Sequence, residues 1–470
     1  MIAPGPRLAA AIAASLVLAT ACARPTPTGA PQSDLTFEKD AGAWTPLVIE
    51  DAASFRPAPP PAFDSAEARA ERDELKRLQA QRTDDDRKAI AYWNEHAAPI
   101  PWSELTDQTL IDSKWVPPRA ARALAVVHAA MFDATVAAWN AKAHYKRALP
   151  RQVESSLSPL AGDDAIPSYP SEHAAVAGAA AATLAYLFPE QAADFKTKAQ
   201  AAAETRVRAG ANYRSDVTAG LALGEAVARR IIARADVDGY AGSPATASIA
   251  ATATTWGNPA AMTPTAGTWK TWLLESGSQF RLPMPDALDT PVMQDELAEV
   301  GREVDSLSRY PWKLSQATYW NFDVPAIIWD KTAKRLLKEK HASTPQAART
   351  LAVLGTLEAD TFIALWDTKY VVLRKRPAHM DPTLQAKMPF ATPPHPSYPS
   401  GHSGASMAAA TYLAGVFPDY AMDLYDDANQ AAMSRLYAGI HYPSDNADGL
   451  KMGKQIADYA LQKLKNRGTL

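Results

Sequence analysis

Apolar residues in this chain recur every three to four positions over long stretches, the spacing of one buried helix face. The pattern is clearest in 347–369, 422–437 and 445–464, and in the alanine-rich segment that begins near His402. Ser400, just before that segment, predicts an N-cap, and Pro377 stops the helical run that passes through Lys369. Residues 64–96 are charged and helix-favouring, with acidic residues early, and read as a solvated helical face. Two stretches lack periodicity: the Pro/Ala-rich 22–63 and the Ala/Thr/Gly/Pro-rich segment from Ala241 to about Pro291. They predict a tether and an inter-lobe connection.

The helical segments come in two sets. Pro118–Lys142 aligns without a gap on Pro345–Lys369 with 11 of 25 positions identical, among them Arg122/Arg349, Asp133/Asp360, Trp139/Trp366 and Lys142/Lys369. Pro167–Pro189 matches Pro396–Pro418 at 13 of 23 positions, and 205–224 pairs with 434–453. Alanine bias can mimic some identities, but not Trp, Asp, Lys, Tyr-Pro-Ser and His in matched order. With about four long helices per copy, the expectation is an all-α fold of two duplicated bundles. The expected division is 64–240 for the N-terminal lobe, 241–310 for the connection and 311–470 for the C-terminal lobe.

Length and composition agree with this and exclude alternatives. A chain of 470 residues exceeds one ordinary core. A formal charge of −3, from 48 basic and 51 acidic residues, offers no broad basic field for nucleic acid. The single cysteine, Cys22, excludes a disulfide scaffold and a Cys-based metal site.

That cysteine has another reading. Residues 1–21 hold Arg7 and then an apolar run from Leu8, too short for a membrane span and suited to a secretory signal. Ala19-Thr20-Ala21 is a cleavage pattern followed at once by Cys22, which resembles a bacterial lipoprotein signal, though Leu18 sits one place early. The expectation is export to the periplasm or cell envelope with a lipid on Cys22, plain cleavage after Ala21 being the alternative.

The second copy gathers the residues that oxyanion chemistry needs. Lys369 leads by a six-residue spacer to Arg376-Pro377, Pro399-Ser400-Gly401-His402 opens a helix, and Ser434-Arg435 leads to His441 and then Asp445. Lys369, Arg376 and Arg435 supply fixed positive charge, the arginines with forks that match phosphate. Ser400 and Gly401 offer backbone N–H groups at a helix N-terminus. His402 and His441 remain for nucleophilic and proton-transfer work, with Asp445 able to fix the tautomer of His441. No metal-ligand cluster is visible.

This order and spacing resemble the superfamily of type 2 phosphatidic acid phosphatases, class A acid phosphatases and vanadium-dependent haloperoxidases. The resemblance implies that His441 is the nucleophile or the vanadate-binding residue and His402 the general acid. It makes Lys369, Arg376, Ser400, Gly401 and Arg435 the oxyanion ligands. Asp360, by the same resemblance, is expected behind the site as a partner of Arg435, with Trp366 and His395 beside it. The first copy keeps Lys142, His173, Arg206 and Asp216 but has Leu149, Glu172 and Asn212 where the second has Arg376, Gly401 and His441. One live site, in the C-terminal bundle, is therefore expected.

Two activities fit such a site. Arg374-x-Arg376-Pro377 and His441-x-x-Ser444-Asp445 look like acid phosphatases, whereas Trp366-x-x-Lys369 and His395 before Pro-Ser-Tyr-Pro-Ser-Gly-His look like haloperoxidases. Hydrolysis of a small phosphate monoester, with no cofactor, is the favoured reading. Vanadate-dependent oxidation of halide by hydrogen peroxide is the alternative. A non-catalytic envelope lipoprotein with a vestigial site is the reading from another class.

Overall fold

The computed structural model describes residues 38, 40–162 and 166–470. The signal segment 1–21, Cys22 and the first part of the 22–63 tether lie outside the described residues. The first copy runs through α1 (Ala66–Ala80), α2 (Asp84–Asn94), α3 (Pro99–Asp112), α4 (Pro117–Tyr145), the single-turn α5 (Pro150–Val153), α6 (Glu172–Leu187), α7 (Ala192–Arg208) and α8 (Arg214–Ala235). A short antiparallel hairpin follows, β1 (Thr246–Ile249) with β2 (Asn258–Met262), pairing Thr246 with Met262 and Ala247 with Ala261. The second copy comprises α9 (Pro291–Ser306), α10 (Pro311–Phe322), α11 (Pro325–Glu339), α12 (Thr344–Val372), the single-turn α13 (Pro377–Met380), α14 (Gly401–Val416), α15 (Ala421–Tyr437) and α16 (Pro443–Arg467). Apart from the hairpin, the described residues build an all-α fold of two duplicated bundles.

The helix boundaries follow local chemistry. Ser400 and its counterpart Ser171 cap α14 and α6 by accepting the N–H of the third helical residue. Ser343 caps α12 in a reciprocal box with Gln346. The two 29-residue helices, α4 and α12, both end at a left-handed residue, Lys146 at φ 50° and Leu373 at φ 52°. These are equivalent positions, and in the second copy the exit brings Arg374 and Arg376 back over the bundle.

Packing repeats as faithfully. In each copy the helix that opens with the capping serine lies against the last long helix at glycine contacts. A Cβ on Gly453 would come 2.0 Å from the Gly404 carbonyl oxygen, and one on Gly224 would come 2.0 Å from that of Ala175. One turn earlier, a Cβ on Gly449 would lie 2.7 Å from the Ser400 carbonyl, and one on Gly220 would lie 2.4 Å from that of Ser171. These contacts set how close α16 comes to the N-terminus of α14, and so where Ser400 and Gly401 stand.

The duplication extends beyond the three sequence blocks. Ala41-Gly42-Ala43-Trp44 is repeated as Ala266-Gly267-Thr268-Trp269, and Tyr92-Trp93-Asn94 as Tyr319-Trp320-Asn321. The straps after the first pair are anchored identically. Asp133 accepts the backbone N–H groups of Leu47, Val48 and Ile49 at 2.7–3.0 Å, and Asp360 those of Trp272, Leu273 and Leu274 at 2.6–2.9 Å. Residues 41–63 and 266–288, read from sequence as parts of the tether and the connection, are thus counterpart parts of the two copies.

One apolar core runs through both bundles, including Leu124, Met131 and Val176 of the first and Leu351, Phe362 and Leu413 of the second. At its centre α4 packs along α12 and α3 meets α11. Here equivalent residues face one another. Ser103 donates to Asp330 at 2.6 Å, Asp107 pairs with Lys334, and His128 lies where a Cβ on Gly355 would be 3.2 Å away. Copies related by a two-fold bring equivalent residues together only at the axis. Identical aspartates there would repel, and the Asp/Lys pair resolves that conflict.

Gly453→Ala forces a helix–helix clash that no rotamer relieves. It should lower stability by about 1–3 kcal/mol in urea denaturation, while Gly415→Ala, with nothing within 4 Å, should leave the midpoint unchanged.

Candidate active site

Lys369 projects from the last turn of α12, fully buried, and donates to the carbonyls of Pro396 and Ser397 at 2.9 Å and of Pro399 at 2.5 Å. Arg376, just past the left-handed exit, donates through Nε to the His395 carbonyl at 2.9 Å and through Nη1 to that of Ile440 at 2.7 Å. Arg435, from the last turn of α15, donates to Ser434 Oγ at 2.9 Å, the Ala317 carbonyl at 2.8 Å and Asn321 Oδ1 at 3.4 Å. All three cations are at 0% exposure, and none forms an ion pair with a carboxylate among the described residues.

Uncompensated burial has an electrostatic signature. Desolvation, reinforced by Arg376, holds Lys369 well below the usual lysine range. The same two causes lower Arg435 to about 9, and desolvation lowers Arg376 to about 10. Three mutually repelling cations held out of water favour an anionic partner.

The histidines stand against these cations. His441 Nδ1 lies 3.0 Å from Asp445 Oδ2, and its Nε2 lies 3.4 Å from Arg376 Nη1. Asp445 also accepts from Arg374 Nη1 at 2.9 Å, Ser397 Oγ at 2.5 Å and the Tyr442 N–H at 3.1 Å. Against the upward push of burial, the His441 hydrogen bond and the Arg374 charge keep Asp445 below the usual carboxylate range. An ionised Asp445 fixes the Nδ1–H tautomer of His441 and leaves the Nε2 lone pair beside the arginine. Burial, then Arg376, lowers His441 to about 3, so the ring is neutral at physiological pH.

His402, in the first turn of α14, has Nε2 2.8 Å from the Trp320 carbonyl, which fixes the proton on that nitrogen. Burial and Arg435 hold its pKa well below the ordinary value. His395 stacks on Trp366 with ring centroids 5.0 Å apart, and its Nδ1 receives Arg376 Nη2 at 3.0 Å. Burial and Arg376 keep His395 neutral too. At the helix start, Ser400 Oγ caps the Ser403 N–H, leaving the Gly401 and His402 amides without an acceptor among the described residues. A Cβ on Gly401 would meet only side chains of Trp366 and Phe362, at 3.8 and 4.0 Å, so space beside that turn is open. His395 and His402 both line a cavity of about 370 Å³.

Nine residues singled out from sequence therefore gather in one place: Lys369, Arg376, Ser400, Gly401, His402, Arg435, His441, Asp445 and His395. Trp366 joins them through His395. Asp360 does not pair with Arg435: its carboxyl accepts the three strap N–H groups, and burial raises it to about 6 against those donors. The Arg435 fork is held instead by Asn321 and the Ala317 carbonyl. Three residues escaped the sequence reading: Ser397, Asn321 and Arg374 in its role on Asp445. Each is repeated in the first copy, as Ser168, Asn94 and Arg147, which is the signal that marks them.

The first copy shows the same frame closed. Glu172, where the second copy has Gly401, places its carboxylate 2.7 Å from Lys142. Arg206 donates to Asn212 at 3.0 Å and to Asn94 at 2.8 Å, and Asn212 donates to the Ser168 carbonyl at 2.8 Å. Lys142 overcomes burial and holds Glu172 well below the usual carboxylate range. A side chain of the protein supplies the anion that the second copy lacks.

A duplicated helical frame that gathers three buried cations and two histidines at one helix start marks a recurring class of helical protein. The PAP2 superfamily model matches this chain twice, over residues 121–236 and 349–467, and the chain belongs to that superfamily. Among its relatives is a lipid A 1-phosphatase of Rhizobium johnstonii, 45% identical over 69 residues, 15% of this chain and 28% of that protein. Another is a decaprenylphosphoryl-5-phosphoribose phosphatase of Mycolicibacterium smegmatis, 38% identical over 81 residues, 17% of this chain and 42% of that protein. The match thus spans less than half of either relative. Among solved structures, a bacterial vanadium-dependent iodoperoxidase superposes with a TM-score of 0.63 at 21% identity, over 77% of this chain and 95% of that one. A bacterial vanadium-dependent chloroperoxidase superposes at 0.53 with 14% identity, over 74% and 94%. These likenesses concern the fold.

The depressed histidines give a pH dependence with a definite sign. The unfolded chain takes up a proton at His441 near the ordinary ~6.5, while the folded ring waits until about 3. Its contribution is complete above ~6.5 and is lost as pH falls toward 3, with a slope of up to about 1.4 kcal/mol per pH unit. Urea denaturation between pH 7 and pH 4 should show this loss, and His441→Asn, which copies Asn212, should reduce it by the share of His441 while the depressed His395 and His402 keep theirs.

Proposed function

We propose that the chain hydrolyses phosphate monoesters at the second-copy site through a phosphohistidine on His441. The observation that carries this reading is the set of three buried cations with no carboxylate partner, beside a neutral histidine whose tautomer is fixed. In this mechanism Lys369, Arg376, Arg435 and the Gly401 and His402 amides hold the phosphoryl oxygens, as in other phosphoryl transfers where positioning and charge do most of the work. Nε2 of His441 attacks phosphorus in line. The new P–N bond forms as the ester P–O bond breaks, and His402 protonates the leaving oxygen. Because the Trp320 carbonyl occupies Nε2–H, Nδ1 is the atom of His402 that carries the transferred proton. The negative charge of the bound ester raises the pKa that Arg435 depresses in the free site. Water, deprotonated by His402, then cleaves the P–N bond and releases phosphate.

A second reading, vanadium-dependent haloperoxidase, is favoured by one contact, the stacking of His395 on Trp366 with its Nδ1 against Arg376. The same orphaned positive charge suits vanadate, a tetrahedral oxyanion like phosphate. His441, Lys369, Arg376, Arg435 and the Gly401 amide would hold it. Vanadate would supply activation of hydrogen peroxide toward halide. Export and lipid attachment at Cys22 remain part of the proposal, supported by Ala19-Thr20-Ala21 before that cysteine.

The test is a paired assay on protein dialysed with and without orthovanadate. The phosphatase reading expects hydrolysis of a chromogenic phosphate ester, inhibition by vanadate, and loss on the order of a thousand-fold or more in His441→Ala. Vanadate-dependent halogenation of a dye without ester hydrolysis would select the second reading. Inertness in both assays would favour a non-catalytic envelope protein.

A further inference from the structure

The cavity that His395 and His402 line is not built by the catalytic copy alone. Leu110, Ile111 and Trp115, from the end of α3 and the turn into α4, form one wall. Phe322, Val324 and Ile327, from the end of α10 to the start of α11, line it as well. The first of these sets belongs to the copy whose own oxyanion site is closed by Glu172. Two charged side chains line the cavity, and neither offers an unpaired charge to its interior. Lys114 is exposed to solvent, and Asp323 is paired with Lys331 at 2.6 Å. What a ligand meets in front of the histidines is therefore mainly apolar, in a volume of about 370 Å³, within the ~300–1,000 Å³ range of small-molecule sites.

We infer that this vestibule seats the apolar portion of the substrate, an aryl or alkyl group carried on the phosphate, and that Trp115 of the first copy is a specificity-determining residue for the site in the second. The inference rests on the phosphate-ester reading and adds the class of ester. The reasoning is geometric. A phosphoryl group held by the buried cations must direct its ester oxygen toward His402 to be protonated, and His402 lines the vestibule. The leaving group beyond that oxygen enters the vestibule that Trp115 and Phe322 line. An apolar group gains there by leaving water, and a polyhydroxylic one loses hydrogen bonds that the walls do not replace. The degenerate copy thus takes a direct part in recognition at a site that is not its own.

Phosphonates, which cannot be hydrolysed, separate this inference from the reaction. Calorimetric titration of the full chain with phenylphosphonate, methylphosphonate and 2-aminoethylphosphonate measures oxyanion and vestibule binding apart. The expected result is a preference of about ten-fold or more for the phenyl compound over the methyl one, as burial of an aromatic ring implies, and no preference for the aminoethyl compound. Trp115→Ala and Phe322→Ala should each reduce that preference several-fold and leave methylphosphonate affinity unchanged. Trp115 packs on Phe188 at 5.0 Å between ring centroids, so its truncation can loosen the turn; Phe322, 81% exposed, can be truncated without that risk. Equal affinity for the phenyl and methyl compounds, or an unaltered ratio in both variants, would overturn the vestibule while leaving the oxyanion site standing. Failure of every phosphonate and of inorganic phosphate to bind would instead overturn the phosphate-ester reading on which it rests.

Discussion

Three positive charges buried without a carboxylate govern this molecule. Lys369, Arg376 and Arg435 are kept from water by the crossing of α14 on α16 and by the return of the chain after α12. Their hydrogen bonds run to carbonyl, hydroxyl and amide oxygens and, from Arg376, to the rings of His395 and His441. Such an arrangement costs stability in the free protein, because desolvation and mutual repulsion act together on each cation. The surrounding helices must therefore be rigid enough to hold it. The glycine contacts of α16, the capping serine of α14 and the strap anchored on Asp360 can be understood as parts of that rigidity.

The two copies show what happens when that constraint is relieved. In the first, a carboxylate grown from the helix start satisfies the lysine, and an amide stands in place of the imidazole. The frame survives nearly unchanged, down to the Asn94 contact with Arg206 and the Arg147 contact with Asp216. Scaffold and site are thus separable: the copies differ in the pocket at Leu149, Glu172 and Asn212, where the second has Arg376, Gly401 and His441. The fold alone does not choose between phosphate and vanadate chemistry, which depends on what lies around the anion.

Much of this was legible in the chain itself. The three spaced motifs lie close to helix ends, where local sequence dictates both the backbone and the direction of the side chains. The capping by Ser400 and the convergence of nine residues followed from them. Asp360 was misplaced because its partners are backbone amides 86–88 residues earlier, and amides leave no mark in a sequence. The Trp320 carbonyl that orients His402 is invisible for the same reason. Asn321 was hidden differently: Tyr-Trp-Asn is a short repeat, and without its contact to Arg435 it carries little weight. The vestibule wall could not be read at all, since it depends on how one copy is laid against the other.

The pairs at the centre of the duplication carry a consequence for ancestry. Asp107 faces Lys334 and Ser103 faces Asp330, each opposite its own counterpart. Two identical chains could not have held these combinations on both sides of a symmetry axis, so they arose after the duplication. Fusion let the halves become unlike where they touch, and it also made them dependent on each other. Either half expressed alone would present to solvent a seam whose charges were matched to a neighbour no longer there.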